Sequence, residues 1–176
     1  MKRMTWILSV ALAVLAPRAD AGVAVSGHAC MDGYTDAYSY IEYSSKGAAS
    51  TSGYSSLHVR CPAALDGEVA GSTARAITWA RAAVLDNSTT LAVKCQVVAY
   101  SRTGAVYVSS SKETGLATTG YSTLSWTSAA LNGGASIGEF GALTMNCYIP
   151  AASPGLKSSI LGATFGDSIV IDTVVW

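Results

Sequence analysis

The sequence predicts an all-β fold, an antiparallel two-sheet sandwich of the jelly-roll type that carries two disulfides. The chain beyond a short leader is rich in Gly, Ser, Thr, Ala, Val and Tyr, a composition typical of strands and turns. Several segments alternate apolar and polar residues, which is the period of a half-buried strand. Four cysteines in a chain predicted to be exported indicate two bridges.

The first 21 residues are predicted to be a signal peptide, and residues 22–176 a single domain. Met1-Lys2-Arg3 gives a positive start, Ile7 to Ala16 is apolar apart from one serine, and Ala19-Asp20-Ala21 supplies a cleavage site after Ala21. The apolar run is too short to cross about 30 Å of hydrocarbon as a helix. We therefore expect a secreted, periplasmic or surface-exposed domain with no transmembrane segment.

The charge of the predicted domain argues against a nucleic-acid partner. Removing the leader takes away three basic residues and one acidic residue, which leaves 8 basic against 10 acidic and a net charge of −2. Proteins that bind DNA or RNA carry a basic face, because contacts with phosphates dominate their affinity. No such cluster is present, so binding to nucleic acid is not predicted.

Three strands are predicted from strict alternation. In Leu91 to Tyr100, one face carries Leu91, Val93, Cys95, Val97 and Ala99, and the other carries Lys94, Gln96 and Tyr100. In the segment that Pro150 closes, Leu143, Met145, Cys147 and Ile149 share one face, and Thr144, Asn146 and Tyr148 share the other. Leu57, Val59 and Cys61 repeat the pattern, with Pro62 expected to end that strand. Three of the four cysteines are thus expected to point inward.

Further strands are expected at Tyr38–Tyr43, Ala105–Ser110, Tyr121–Thr127, Ser158–Phe165 and Ile169–Val175. Turn residues separate the strands at Asp86-Asn87-Ser88, Arg102-Thr103-Gly104, Asn132-Gly133-Gly134 and Phe165-Gly166-Asp167. The segment from Ser44 to Ser56 is expected to be a mobile loop. Short strands with one apolar face must cover that face with a second sheet, which favours the sandwich.

The segment from Ser72 to Leu85 is compatible with two structures. As a helix it would bury Ile77, Ala80 and Val84. As a strand it would place Arg75, Ile77, Trp79 and Arg81 on one face and Ala76, Thr78, Ala80 and Ala82 on the other. The strand is the favoured interpretation.

Of the three possible disulfide connectivities, the favoured one joins Cys30 to Cys61 and Cys95 to Cys147. Each pair is consecutive in the chain, and strand pairing can bring its members together. Two inward cysteines on two strands suit a bridge across the sandwich core. The spacings lack C-x-x-C and H-x-x-x-H, so no metal site and no cofactor are predicted.

An ordered set of short motifs spans most of the predicted domain: Cys30, Cys61-Pro62, Asp86-Asn87-Ser88, Val93-Lys94-Cys95 and Cys147-Tyr148-Ile149-Pro150. In their order and spacing they resemble a group of short exported bacterial proteins of unknown function. The resemblance implies an extracytoplasmic β-sandwich with two disulfides. It implies no activity.

Catalytic residues are not predicted. The chain has two histidines, His28 and His58, and no Gly-x-Ser-x-Gly elbow, and nothing in the sequence brings two carboxylates to the separation that a glycosidase needs. The alternation places His58 on the solvent face of its strand. A small secreted hydrolase, in which His58 or a carboxylate pair converges in a cleft, remains an alternative.

The residues favoured for ligand binding are tyrosines that crowd one region, because aromatic rings with polar tips suit glycan- and protein-binding surfaces. They are Tyr34, Tyr38, Tyr40, Tyr43 and Tyr54. The other interpretation is that they are ordinary strand residues covering the sandwich. The predicted function is a non-catalytic exported domain that is structural or binds a glycan or surface protein. A further alternative is a filament subunit that pairs through an exposed edge at Ile169–Trp176.

Overall fold

The computed structural model describes residues 21–33, 41–51, 53, 55–63, 75–101, 106–132, 140–152 and 155–169. Within these residues the strands are β1 (Ala21–Ser26), β2 (Met31–Asp32), β3 (Ile41–Ser44), β4 (Gly47–Ser50), β5 (Leu57–Ala63), β6 (Arg75–Asp86), β7 (Lys94–Ser101), β8 (Val106–Val108), β9 (Lys112–Glu113), β10 (Gly120–Thr127), β11 (Phe140–Ile149) and β12 (Ser159–Ile169). A 3₁₀ turn occupies Gly27–Ala29, and the helix α1 spans Ser128–Asn132.

The strands form two antiparallel sheets of six strands each, which confirms the predicted all-β sandwich. Sheet A has the order β10-β6-β12-β4-β3, and β1 also pairs with β12, on the edge that β12 shares with β4. Sheet B has the order β2-β5-β11-β7-β8, and β9 also pairs with β7. Apart from the pairs β3–β4 and β7–β8, which are consecutive in the chain, neighbouring strands in each sheet come from distant parts of the chain.

The core lies between the two sheets and is built by the alternation that the sequence predicts. In sheet B the inward residues Leu57, Val59, Cys61, Val93, Cys95, Val97, Ala99, Leu143, Met145, Cys147 and Ile149 are buried. Sheet A supplies Ile77, Ala80, Ala82, Val84, Trp126, Ile160, Ala163 and Phe165. The predicted inward position of Leu91 is wrong, because the strand begins only at Lys94 and Leu91 lies exposed in the preceding turn.

The segment that was compatible with helix or strand is the long strand β6, as favoured. The predicted faces hold only in part, because Ile77 and Ala80 are both buried. A register shift explains this: Trp79 lies opposite Gly166, whereas Ile77 lies opposite Asp167, which leaves Thr78 as an extra residue. Such a β-bulge reverses the alternation beyond it.

Two predicted irregular segments are strands instead. The turn expected at Phe165-Gly166-Asp167 lies inside β12, which runs unbroken from Ser159 to Ile169 and faces the bulge of β6 between Gly166 and Asp167. The mobile loop expected from Ser44 to Ser56 contains the hairpin of β3 and β4. Gly47 has φ +82°, and a Cβ there would lie 1.9 Å from the carbonyl oxygen of Ile160, so only glycine permits this hairpin to approach β12.

Both disulfides have the favoured connectivity, Cys30–Cys61 and Cys95–Cys147. The expectation that a bridge crosses between the sheets is wrong. Cys95 lies directly opposite Cys147 on the neighbouring strands β7 and β11 of sheet B, with a Cα–Cα distance of 4.1 Å. Cys30 precedes β2, whose partner is β5, and its Cα lies 4.0 Å from that of Cys61. Both bridges therefore join adjacent strands on the inner face of sheet B.

Smaller differences concern strand ends and one helix. Pro62 does not end its strand, since β5 continues to Ala63. Pro62 can remain in β5 because β2 pairs with Val59 and Arg60 and does not extend to the proline. On that side Pro62 is at an edge of the described sheet, where its missing backbone N–H is tolerated. The short helix α1 was not predicted, and its Leu131 is buried in the core. None of the helices in the described part of the chain is long and apolar enough to cross a membrane.

Candidate functional site

A groove of about 470 Å³ crosses the outer face of sheet B. Its volume falls within the range of about 300 to 1,000 Å³ that is usual for small-ligand sites. The residues that line it come from three adjacent strands and two flanking segments: Gly33, His58, Val59, Arg60, Lys94, Cys95, Gln96, Ser111, Asn146, Cys147 and Tyr148. The groove is the candidate functional site.

The strand register explains the shape of the groove. Val59, Cys147 and Cys95 form one row across β5, β11 and β7, and their side chains point into the core. The row therefore presents only backbone to the outer face, as the floor of the groove. The next row on one side carries the outward side chains of His58, Tyr148 and Lys94.

The opposite wall is the row of Arg60, Asn146 and Gln96. Adjacent strands are about 4.8 Å apart, so the three strands of the floor span about 10 Å. Gly33 lies beyond β5 next to His58, at the end of the first wall, and its N–H donates to the carbonyl oxygen of His58 over 2.7 Å. A Cβ on Gly33 would lie 3.3 Å from that oxygen and 3.5 Å from Cγ of Arg60, so a side chain here would crowd this end of the groove.

The charged side chains of the lining are cationic. Arg60 and Lys94 are exposed, and no Asp or Glu is among the described residues that line the groove. Glu113 on β9 lies opposite Lys94 at the rim, yet no ion pair joins Arg60 or Lys94 to an acid within the described residues. The groove is thus positive in a predicted domain whose net charge is −2. Of the two cations, Arg60 on β5 lies farther from Glu113 than Lys94 does.

The wall of the groove also holds a polar atom with unmet hydrogen-bonding capacity. Oδ1 of Asn146 is enclosed and accepts no hydrogen bond from the part of the chain that the structure describes. Leaving a buried acceptor without a donor costs about 1 to 3 kcal/mol. Asn146 lies between Arg60 and Gln96 in its row, so three side chains with hydrogen-bond donors stand side by side.

His58 is exposed, as the alternation predicts, and its ring contacts Tyr148 edge to face with the centroids 5.1 Å apart. The two rings form an aromatic patch in the wall that His58 and Tyr148 share with Lys94.

Of the tyrosines favoured from the sequence, Tyr43 is described by the structure, and it does not line this groove. Tyr34, Tyr38, Tyr40 and Tyr54 lie outside the described residues. Tyr43 is on β3 in sheet A; its hydroxyl donates to the carbonyl oxygen of Cys30 over 2.7 Å, and its ring stacks on His28 with the centroids 6.3 Å apart. Tyr43 therefore contacts the chain beside the first disulfide.

A buried carboxylate that the sequence indicated only as a turn residue stands at the end of β6. Asp86 is fully buried and accepts four hydrogen bonds. The backbone N–H groups of Ser88 and Val93 donate over 2.9 and 3.2 Å, and the hydroxyls of Ser158 and Thr114 donate as well, the former over 3.0 Å. The carboxylate joins three segments and has no access to solvent, so its role is structural.

The Asp-Asn-Ser motif thus has a physical explanation. Besides the Asp86 contacts, the side-chain amide of Asn87 donates to the carbonyl oxygen of Lys157 over 2.9 Å. The hydroxyl oxygen of Ser88 accepts from the N–H of Leu91 over 3.0 Å. All three side chains are engaged in shaping the turn before β7. An acidic residue directly after an apolar strand is the feature of the sequence that could have indicated this buried, hydrogen-bonded carboxylate.

No group of three or more potential metal ligands is found among the described residues. Comparison of the chain with protein-family models gives no match, and comparison with curated proteins gives none either. The resemblance to short exported proteins stays a prediction.

Proposed function

We propose that this protein is a non-catalytic exported domain that binds a partner at the cell envelope through the groove on sheet B. The observation that carries the proposal is the pair of unneutralised cations, Arg60 and Lys94, in a groove of ligand size on a domain of net negative charge. A local field of opposite sign to the domain as a whole attracts anionic partners to that place. A merely structural surface has no need of such an arrangement.

Export is supported by the chemistry of the cysteines. All four form disulfides, and such bridges persist in oxidising compartments and are rare in the cytosol of most organisms. Together with the leader-like residues 1–21, this favours a site of action in the periplasm, at the cell surface or in the medium.

Binding is favoured over hydrolysis by the composition of the groove. Its polar side chains are amides, hydroxyls, cations and one histidine, and the described lining has no carboxylate to act as acid, base or nucleophile. The same side chains suit reversible hydrogen bonding. The small secreted hydrolase is therefore the weaker alternative.

The proposal is tested by co-sedimentation with two fractions of the producing cell, protein-free sacculi with their attached polysaccharide and outer-surface membranes with their proteins. We predict that the wild type sediments with one fraction and that the double variant Arg60→Ala/Lys94→Ala binds at least about tenfold more weakly, because each lost charge-assisted hydrogen bond costs about 1.5 to 3 kcal/mol.

The matched control is Lys46→Ala/Arg81→Ala. It removes the same charge, but Lys46 lies in the turn between β3 and β4, and Arg81 stands on the outer face of sheet A over the Trp79 ring. The control is expected to bind like the wild type. Equal binding by all three proteins, or a wild type that sediments with neither fraction, would contradict the proposal.

A further inference from the structure

The floor of the groove excludes one common mode of recognition. Peptides are often bound as an added strand, through the unpaired N–H and C=O groups of a sheet edge. Here β11 is paired on both sides, with β5 and with β7, so its backbone groups already serve the ladder. A ligand in the groove must be recognised by side chains, and the side chains present are amides, hydroxyls, cations and rings.

These side chains match a ligand with many hydroxyls and a negative charge. Asn146 and Gln96 are neighbours in one row, and an amide both donates to and accepts from a hydroxyl. Oδ1 of Asn146 has no donor within the described residues, so no hydrogen bond to this oxygen fixes the amide. The amide is therefore available to bind ligand hydroxyls beside Gln96.

The remaining members of the two walls have complementary roles. Arg60, next to Asn146 in its row, carries a planar guanidinium that binds a carboxylate through two parallel hydrogen bonds. Across the floor, Tyr148 and His58 form the aromatic patch against which the apolar side of a sugar ring can lie. Hydroxyls, a carboxylate and an apolar ring side occur together in the acidic saccharides, of which the uronic-acid saccharides are one group.

We propose that the ligand of the groove is an acidic saccharide, whose carboxylate pairs with Arg60 and whose ring hydroxyls bind Asn146 and Gln96. This inference rests on the proposed function and names its ligand class. An acidic peptide offers the charge but not the array of hydroxyls, so it is the competing outcome.

The test is isothermal titration calorimetry at low salt with three probes: oligogalacturonate, the same oligosaccharide with its carboxylates reduced to alcohols, and poly-glutamate. We expect oligogalacturonate to bind the wild type, the reduced form to bind about tenfold more weakly, and poly-glutamate to bind more weakly still. Arg60→Gln should reduce the difference in affinity between the first two probes, since it removes the bidentate partner of the carboxylate, and Arg60→Gln/Lys94→Gln should bind both with equal affinity.

Two further variants separate the hydroxyl contacts from the charge. Asn146→Leu should weaken both saccharides alike, and Gln96→Leu serves the same purpose if the first variant unfolds. Arg81→Gln, on the opposite face of the molecule, should leave all affinities unchanged. Unchanged affinity after carboxylate reduction, equal binding of poly-glutamate, or no binding of oligogalacturonate would overturn the inference. If envelope binding still depends on Arg60 and Lys94 in that case, the ligand class is wrong and the proposed function stands.

Discussion

At the scale of single residues, the side chains that hold the fold and those that form the candidate site are different. Asp86 is sealed in the interior with four donors, whereas Arg60 and Lys94 are exposed with no acid bound. A buried carboxylate without donors would be very costly, so its network is a requirement of folding. Exposed cations impose no such requirement. This contrast is the reason for assigning stability to one group and binding to the other.

We predict that Asp86→Ala lowers the free energy of unfolding by about 3 kcal/mol or more, because two backbone N–H groups and two hydroxyls lose their buried acceptor. Urea unfolding with the disulfides intact measures the loss. The control is Thr89→Ala, at an exposed position two residues after Asn87. It should change the free energy of unfolding by no more than about 0.5 kcal/mol. A decrease of less than about 1 kcal/mol in the free energy of unfolding for Asp86→Ala would show that these hydrogen bonds do not stabilise the fold.

At the scale of elements, sheet B is the more strongly constrained of the two sheets. Both disulfides lie on its inner face, and they join β5 to the chain before β2 and β7 to β11. The second bridge lies directly beneath the floor of the groove, since Cys95 and Cys147 contribute their backbone to it. The bridge between Cys95 and Cys147 holds β7 and β11 in register, so the side chains within each wall stay aligned across these two strands. This rigidity favours a preformed site on sheet B.

We predict that removing either bridge, as Cys30→Ser/Cys61→Ser or Cys95→Ser/Cys147→Ser, destabilises the domain by about 4 kcal/mol. The bridged cysteines are 31 and 52 residues apart, and closing loops of that length restricts the unfolded chain by this amount. Equilibrium urea unfolding under non-reducing conditions measures the effect, with the wild type reduced by thiol as a second comparison. A loss below about 1 kcal/mol for both double variants would contradict the structural role of the bridges.

At the scale of the whole molecule, the fold class could be predicted because it depends on local patterns, and alternation identifies an inward Cys95, Cys147 and Cys61. The cysteine pairing was chosen among three connectivities because its partners are consecutive in the chain, and the structure has the same pairing. The unbroken β12 could not be predicted, since Gly166 followed by an aspartate has the sequence pattern of a turn. The bulge at Thr78 could not be predicted either. The alternation likewise places Lys94, Gln96, Asn146 and Tyr148 outward, each on its own strand.

The groove itself was beyond sequence reasoning for a topological reason. Its walls form only because β11 lies between β5 and β7, and those strands are far apart in the chain. The order of strands in a sheet is decided by tertiary packing, which no local pattern records. The tyrosines favoured from the sequence were chosen because they are near one another in the chain, and four of the five lie outside the described residues. Tyr43, the described member of that set, contacts the chain beside Cys30.

The most direct test of the central claim, that the partner lies on the outer face of sheet B, is photo-crosslinking in the producing cells. A benzophenone amino acid replaces Ser111 at the rim of the groove or, as the control, Thr123 on the outer face of sheet A; both positions are exposed. We predict that light produces an adduct of higher mass from position 111 only, and that Arg60→Ala/Lys94→Ala abolishes it. Adducts from position 123 alone, or adducts from position 111 that survive the double variant, would contradict the account.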